Sequence, residues 1–252
     1  TDHQVGDLAN SARLLAQSAV DDLGVMTSIV PCTPTGPSDA ACHQQFVESF
    51  GRLAWRRPLT QEEVDEVTAV AQTAATHPDV NDFNQGIAYA LSLLLQSPNF
   101  VYIIELGEPD PANPGKLKLT NYEVASRMSF FLLERTPDPQ TLDLVAQTGL
   151  DTDQEVEALA KTMVQKPEAR QALASFYSEL FRLRELPTVA KDPAVYPKFT
   201  PALVTSMQEE TLRLLEDVIW TRNADARELL DSGHTFVDAE LAELYGVRPP
   251  SS

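Results

Sequence analysis

Helix-start signals recur along this 252-residue chain and constrain its fold more than any other feature. A threonine followed three residues later by a glutamate is typical of a capping box, in which each side chain accepts a hydrogen bond from the other residue's backbone N–H. The pattern occurs at Thr60/Glu63, Thr120/Glu123 and Thr152/Glu155. Thr200-Pro201 adds another start, because proline is favoured at the first helical position. Apolar-periodic segments follow these signals, so the sequence predicts helices.

Apolar spacing predicts the extent of each helix. The predicted helices span 7–23, 38–55, 61–76, 80–97, 121–134, 153–165, 168–185, 201–221 and 238–245. The inward positions predicted for the first helix are Leu8, Ala12, Leu15, Ala19 and Leu23. The 80–97 helix is apolar on most faces, which favours a central position in the core. Residues Phe100–Ile104 are the best strand candidate, although they also fit a helix that continues beyond a kink at Pro98.

The predicted fold class is all-α, a two-lobed multi-helix bundle with long proline-rich connections. The segment Glu108–Gly115 has the composition of a linker, with three prolines and a glycine in eight residues. This predicts an N-terminal helical domain over 1–105, which includes a cysteine-bracketed loop. A linker over 106–119 and a C-terminal helical domain over 120–252 follow.

Charge limits the classes of partner. Lys and Arg number 19 against 37 Asp and Glu, which gives a formal net charge of -18. Such a surface repels nucleic acid, because binding to phosphates requires clustered cations. The longest apolar run, Ile87–Ile104, is interrupted near its middle by Gln96–Asn99, so no membrane span is predicted. The composition suits an exported protein, or one whose partner is positively charged.

The two cysteines, Cys32 and Cys42, bracket a turn-rich segment. A disulfide here would close a small loop, stabilise the fold by roughly 2–4 kcal/mol and require an oxidising compartment. Two buried free thiols are the alternative. Covalent haem attachment needs Cys-x-x-Cys-His, and the spacing before Cys42-His43 does not match it.

No catalytic motif or metal-ligand spacing is present, so no metal site is predicted. Trp55-Arg56-Arg57-Pro58 offers two guanidinium groups beside an indole, which fits either an anion or partner site or a helix end whose carbonyls the cations satisfy. Glu123 and Arg127 fit an i,i+4 ion pair among apolar neighbours. Arg127 is expected to be at least half buried, as an anion anchor or a structural tie. The candidate binding residues are Arg56, Arg57, Glu105, Glu123 and Arg127.

An ordered set of motifs points to a family. They are the cysteine-bracketed loop, Phe50–Thr60, Leu95–Tyr102 with Glu105 following, Tyr122–Leu132, Pro137-Asp138, Thr235–Asp238 and Leu241–Gly246. In this order they resemble the helical domains of unknown function in large secreted multidomain proteins of planctomycetes and myxobacteria, some of which carry a c-type cytochrome domain. The resemblance covers roughly residues 30 to 247.

The resemblance implies a periplasmic or extracellular interaction or scaffold module that binds a sister chain, a partner domain or an extracellular substrate. The alternative is part of an extracellular enzyme that acts on a polymer or with an associated c-type cytochrome. No cofactor is predicted in this chain, and any haem would belong to an associated domain. The partner expected is a second polypeptide or the remainder of a processed precursor. It should cover apolar side chains near Phe236, Leu241 and Leu244, before a connector over 246–252.

Overall fold

The computed structural model describes residues 2–249, with side chains from residue 5, and confirms the all-α class. The first helices are α1 (Asp2–Asp21), α2 (Leu23–Ile29), α3 (Ala40–Trp55), α4 (Gln61–Ala75), α5 (Phe83–Gln96) and α6 (Pro98–Val101). The later ones are α7 (Asn121–Leu133), α8 (Pro139–Thr148), α9 (Asp153–Met163), α10 (Pro167–Leu180), α11 (Pro201–Glu216), α12 (Glu228–Asp231) and α13 (Ala239–Tyr245). A 3-10 helix covers Leu183–Thr188, and a π-helical turn covers Asp217–Thr221.

Backbone contacts divide the chain into two compact units. The N-terminal unit contains residues up to 131 together with 135–160, and the C-terminal unit contains 132–134 and the residues from 161 onward. The predicted domain boundary over 106–119 stays a prediction. None of the described helices combines the length and the apolar composition that a bilayer crossing requires.

In the N-terminal unit, α5 packs against α1, α3 and α4. Its central position confirms the prediction, because Ile87, Leu91 and Leu94 are all buried. The predicted inward face of α1 is partly wrong, since Leu15 and Leu23 are 62% and 81% exposed. The buried side chains of α1 are instead small ones, which let two helix axes approach closely: Ala12, Ala16 and Val20. Leu23 lies outside α1, because Asp22 caps the separate helix α2.

The Cys32–Cys42 disulfide is formed, with the two Cα atoms 5.8 Å apart. It anchors the loop before α3 to the first turn of that helix. The next residue, His43, is fully buried, and its ring stacks on Phe83 of α5 at 4.1 Å. Its Nε2 lies 3.2 Å from the Phe83 carbonyl oxygen, and its Nδ1 lies 2.6 Å from the Gln72 amide nitrogen. A neutral ring with the proton on Nε2 satisfies both contacts, so His43 joins three helices.

The chain between α5 and α7 differs from its predicted form. Residues 100–104 form no strand; the Ser97 side chain caps the short helix α6, which has Pro98 at its first position. The two strands in the described part of the chain lie in the predicted linker. They are β1 (Glu108–Pro109) and β2 (Leu117–Lys118), which pair antiparallel across the proline-rich turn.

In the C-terminal unit, α11 packs against α10 and α13. The apolar patch expected on α13 is partly wrong, because Leu241 is 1% exposed and Ala242 is also buried. Leu244 is 38% exposed, and Phe236 is half-buried. The Asp238 side chain caps α13, and this cap fixes the register in which Leu241 turns inward. Of the predicted connector, residues 250–252 lie outside the described part of the chain.

Candidate functional site

The corner between α3 and α4 brings the first candidate binding residues together. α3 ends at Trp55, and Arg56 follows in the left-handed region with φ 61°. Pro58 has no backbone N–H to donate, so it cannot continue the helical hydrogen bonds. Thr60 and Glu63 then start α4 with the predicted capping box. This reversal turns the side chains of Arg56 and Arg57 in different directions, with different consequences for each guanidinium.

Arg56 is 6% exposed and bonds to the backbone around α6. Its Nη2 donates to the carbonyl oxygens of Asn99 at 2.6 Å and Tyr102 at 2.7 Å. Its Nη1 donates to Ala54 at 3.1 Å and, over a longer 3.5 Å, to Phe100. The guanidinium carbon lies 5.7 Å from the centre of the Phe130 ring on α7. Arg56 thus ties the end of α3 to α6 and contacts α7.

Arg57 has a carboxylate partner. Its Nη1 and Nη2 donate to the two carboxylate oxygens of Glu63 at 2.9 and 2.7 Å, and its guanidinium lies over Trp55 at 5.5 Å. The Arg57 hydrogen bond holds the pKa of Glu63 below its usual value, and the same bond raises the pKa of Arg57. The pair is a fork-to-fork arrangement that leaves little of either charge for a ligand.

Glu123 pairs with backbone N–H groups and not with Arg127. It accepts hydrogen bonds from the N–H groups of Leu106 at 2.7 Å, Gly107 at 3.1 Å and Thr120 at 2.7 Å. Desolvation raises the pKa of this carboxyl group, but the three backbone bonds and the Thr120 side chain together outweigh it and leave the pKa below its usual value. Glu123 therefore fixes the segment that leaves α6 to the start of α7.

Arg127 is the clearest correction to the sequence-based expectation. Its side chain is 61% exposed, and its partner is Glu105, with Nε donating to Oε1 at 2.8 Å and Nη2 to Oε2. On α7 the buried positions are Ala125, Ser126, Ser129 and Leu133, and Arg127 lies outside that face. An exposed pair of this kind is screened by water and is a weak structural tie.

A cavity of about 280 Å³ opens at this corner, and it contains three of the five candidate binding residues. We refer to it as the corner cavity. Its walls are Trp55, Arg56, Arg57, Asn99, Ile103, Ile104, Leu106, Gly107, Thr120, Tyr122, Glu123 and Ser126. The lining therefore combines aromatic and aliphatic walls with several charged and polar groups, which can orient a small molecule.

A larger and more open groove of about 590 Å³ lies on the outer face of α4 and α5. This α4–α5 groove is lined by Ala69, Val70, Thr73, Ala74, His77, Val80 and Tyr89. Val80 and Tyr89 are 43% and 58% exposed. Sequence reasoning missed the groove. The available signal was that α4 carries apolar residues at both inward and outward positions, beyond what one core face needs.

No group of three or more His, Cys, Asp or Glu side chains that could hold a metal ion occurs within residues 5–249, whose side chains the structure describes. Comparison with known families gives two matches. Residues 119–247 match the model described as PSD4, a protein of unknown function (DUF1592). Residues 42–105 match the model described as PSD5, a protein of unknown function (DUF1595). No curated protein and no solved structure matches the chain.

Proposed function

The chain belongs to the PSD4 family of proteins of unknown function, and we propose that it is an interaction module that binds a second polypeptide through the α4–α5 groove. The observation that carries this proposal is the groove itself, because its lining is apolar apart from Thr73 and His77. Apolar grooves between helices are sites at which the apolar face of an amphipathic segment binds.

Acidic residues beside the groove indicate the chemistry of the partner. Glu66 precedes Val70 by about one helical turn, and Asp79 and Asp82 flank Val80 along the chain; all three are exposed. The whole chain carries a formal charge of -18. The matching partner is an amphipathic segment whose apolar face enters the groove and whose flanks carry Lys or Arg.

The proposed setting is the periplasm or the extracellular space, in a multidomain protein or beside a processed sister chain. The disulfide supports this setting, since disulfides persist in oxidising compartments. Any haem would belong to an associated domain. The alternative of a part in an extracellular enzyme stays a prediction.

Photo-cross-linking tests the proposal. A benzophenone amino acid replaces Tyr89 in the groove or, as a control, the exposed Thr27 on α2, in cells that make the protein naturally. The cross-linked peptide is sequenced by mass spectrometry. We expect position 89 to capture one segment with apolar residues at helical spacing and basic flanks.

The variant Thr73→Glu places a charge in the groove and should remove most of this product, whereas Thr27→Glu should leave it unchanged. A product that persists in Thr73→Glu, or identical products from positions 27 and 89, would contradict the proposal.

A further inference from the structure

The buried guanidinium of Arg56 lines the corner cavity, and its hydrogen-bond partners differ in kind from those of the neighbouring Arg57. Arg57 is neutralised by Glu63, but every hydrogen bond that Arg56 donates to a described residue goes to a backbone carbonyl. Buried charges in proteins are ordinarily paired with an opposite charge. Burial lowers the pKa of Arg56, although a guanidinium stays protonated at neutral pH.

The other charges that line the cavity are already engaged. Arg57 donates hydrogen bonds to the carboxylate of Glu63. The carboxylate of Glu123 accepts hydrogen bonds from three backbone N–H groups. On Arg56, by contrast, Nε donates to no described group, and the Nη1 bond to Phe100 is long. The guanidinium therefore has donor capacity left on a wall of the cavity.

The other residues that line the cavity indicate the chemistry of the uncharged part of a ligand. Trp55, Ile103, Ile104 and Leu106 provide apolar surface, and Ser126 provides a hydroxyl at a buried position. A volume of about 280 Å³ accommodates a small molecule and excludes a folded partner.

We propose that the corner cavity binds a small carboxylate, whose anionic group pairs with Arg56 and whose short apolar body lies against Trp55 and Ile103. This ligand site is separate from the α4–α5 groove and does not depend on the function proposed for that groove. Arg56 acts as a binding residue in addition to tying α3 to α6.

Tryptophan fluorescence tests the site directly. Trp55 and Trp220 are the two tryptophans of the chain, so Trp220→Phe leaves Trp55 as the reporter. Sodium butyrate is titrated at constant ionic strength, and butyramide serves as an uncharged control of the same shape. We expect a saturable change with butyrate and an affinity for butyramide about tenfold weaker or more, because a charge-assisted bond is lost.

A matched pair of variants at Ile103, which is 51% exposed, separates binding from folding. Ile103→Glu supplies an internal carboxylate to the cavity, and Ile103→Gln supplies its neutral equivalent. We expect the Glu variant to melt at a higher temperature than the Gln variant and to lose the butyrate response. The Gln variant, which loses the apolar contact of Ile103, should bind butyrate more weakly than the wild type but still prefer it to butyramide. Equal melting temperatures with equal responses to butyrate and butyramide would overturn the proposal, and so would a butyrate response that survives in Ile103→Glu.

Discussion

The two units differ in whether their described residues include buried titratable side chains. In the N-terminal unit, His43 and Arg56 are buried, and each joins helices that are distant in sequence. In the C-terminal unit, the charged residues form pairs on the surface, such as Arg182 with Glu185 and Arg184 with Glu179. Large exposed apolar side chains occur in both units, for example Leu15 and Leu23 in the N-terminal unit and Phe176 and Leu230 in the C-terminal unit.

This contrast indicates where stability is concentrated. Exposed ion pairs contribute little, because water and salt screen them and long side chains lose entropy when they pair. A buried polar group that loses its partner costs far more, because its desolvation is no longer compensated. We therefore expect the N-terminal unit to depend on a few individual residues and the C-terminal unit to tolerate most single surface changes.

The largest effect is expected for Gly86→Ala in α5. An added Cβ would lie 2.4 Å from Nε2 of His43 and 2.7 Å from the Ala71 carbonyl oxygen. The ring would have to leave Phe83, so we expect a loss of about 3–4 kcal/mol in the free energy of unfolding. Urea denaturation followed by circular dichroism measures it. Gly36→Ala, where no atom lies within 4 Å of the added group, is the matched control. Similar midpoints for the two variants would show that His43 does not hold these helices together.

Two arginines test the contrast directly, because both follow a helix in the left-handed region, Arg56 with φ 61° and Arg182 with φ 56°. Arg56→Met leaves the carbonyls of Asn99 and Tyr102 without their donor, and we expect it to cost about 2–4 kcal/mol. Arg182→Met removes only an exposed pair with Glu185 and should leave the melting temperature unchanged. If both variants melt alike, the distinction between the units fails.

Removal of the disulfide should have a somewhat smaller effect. The bond closes a loop with a sequence separation of 10, which corresponds to about 2–3 kcal/mol of unfolded-state entropy. The double variant Cys32→Ser/Cys42→Ser should lose this amount in urea denaturation. Wild-type protein measured with a reductant should match the variant; a reduced wild type that is as stable as the oxidised form would contradict this account.

Acidification should produce the smallest and most gradual change. Burial lowers the pKa of His43 below the usual 6.5, so the neutral ring stabilises the folded state fully above that pH. As the pH falls below 6.5 towards the folded-state pKa, the unfolded chain takes up a proton first and stability declines. One proton limits the slope to about 1.4 kcal/mol per pH unit. Urea midpoints between pH 7 and 5 measure it, above the range in which the carboxyl groups titrate. A flat profile would show that His43 already accepts a proton in the folded state.

Local sequence signals predicted much of this fold. The capping box at Thr60 and the disulfide between Cys32 and Cys42 are both present as expected, because each depends on residues close together in the chain. Helix α8 was missed although Asp138-Pro139 gives the same kind of start signal. Its ten residues make fewer than three turns, which carry too few apolar positions for a clear periodicity.

Contacts between distant segments could not be predicted in this way. The pairing of Arg127 with Glu105 in place of Glu123 depends on the path of the chain between α6 and α7, which brings Leu106 and Gly107 to Glu123. The burial of Arg56 likewise depends on where α6 lies after the turn at Ser97. Spacing along one helix identifies pairs that are able to form, but tertiary neighbours decide which of them do.

The packing of α1 on α5 also affects how fast the N-terminal unit can fold. α4 and α5 are joined only by residues 76–82, so they meet after a short loop closes, whereas α1 meets α5 only after α2, α3 and α4 are bridged. The disulfide shortens that long loop by ten residues, which lowers its closure cost by only about 0.2 kcal/mol. During synthesis α1 is made before α5, so the face of α1 that carries Ala12 and Ala16 stays without its partner until α5 is present, and α1 is expected to pack last in this unit.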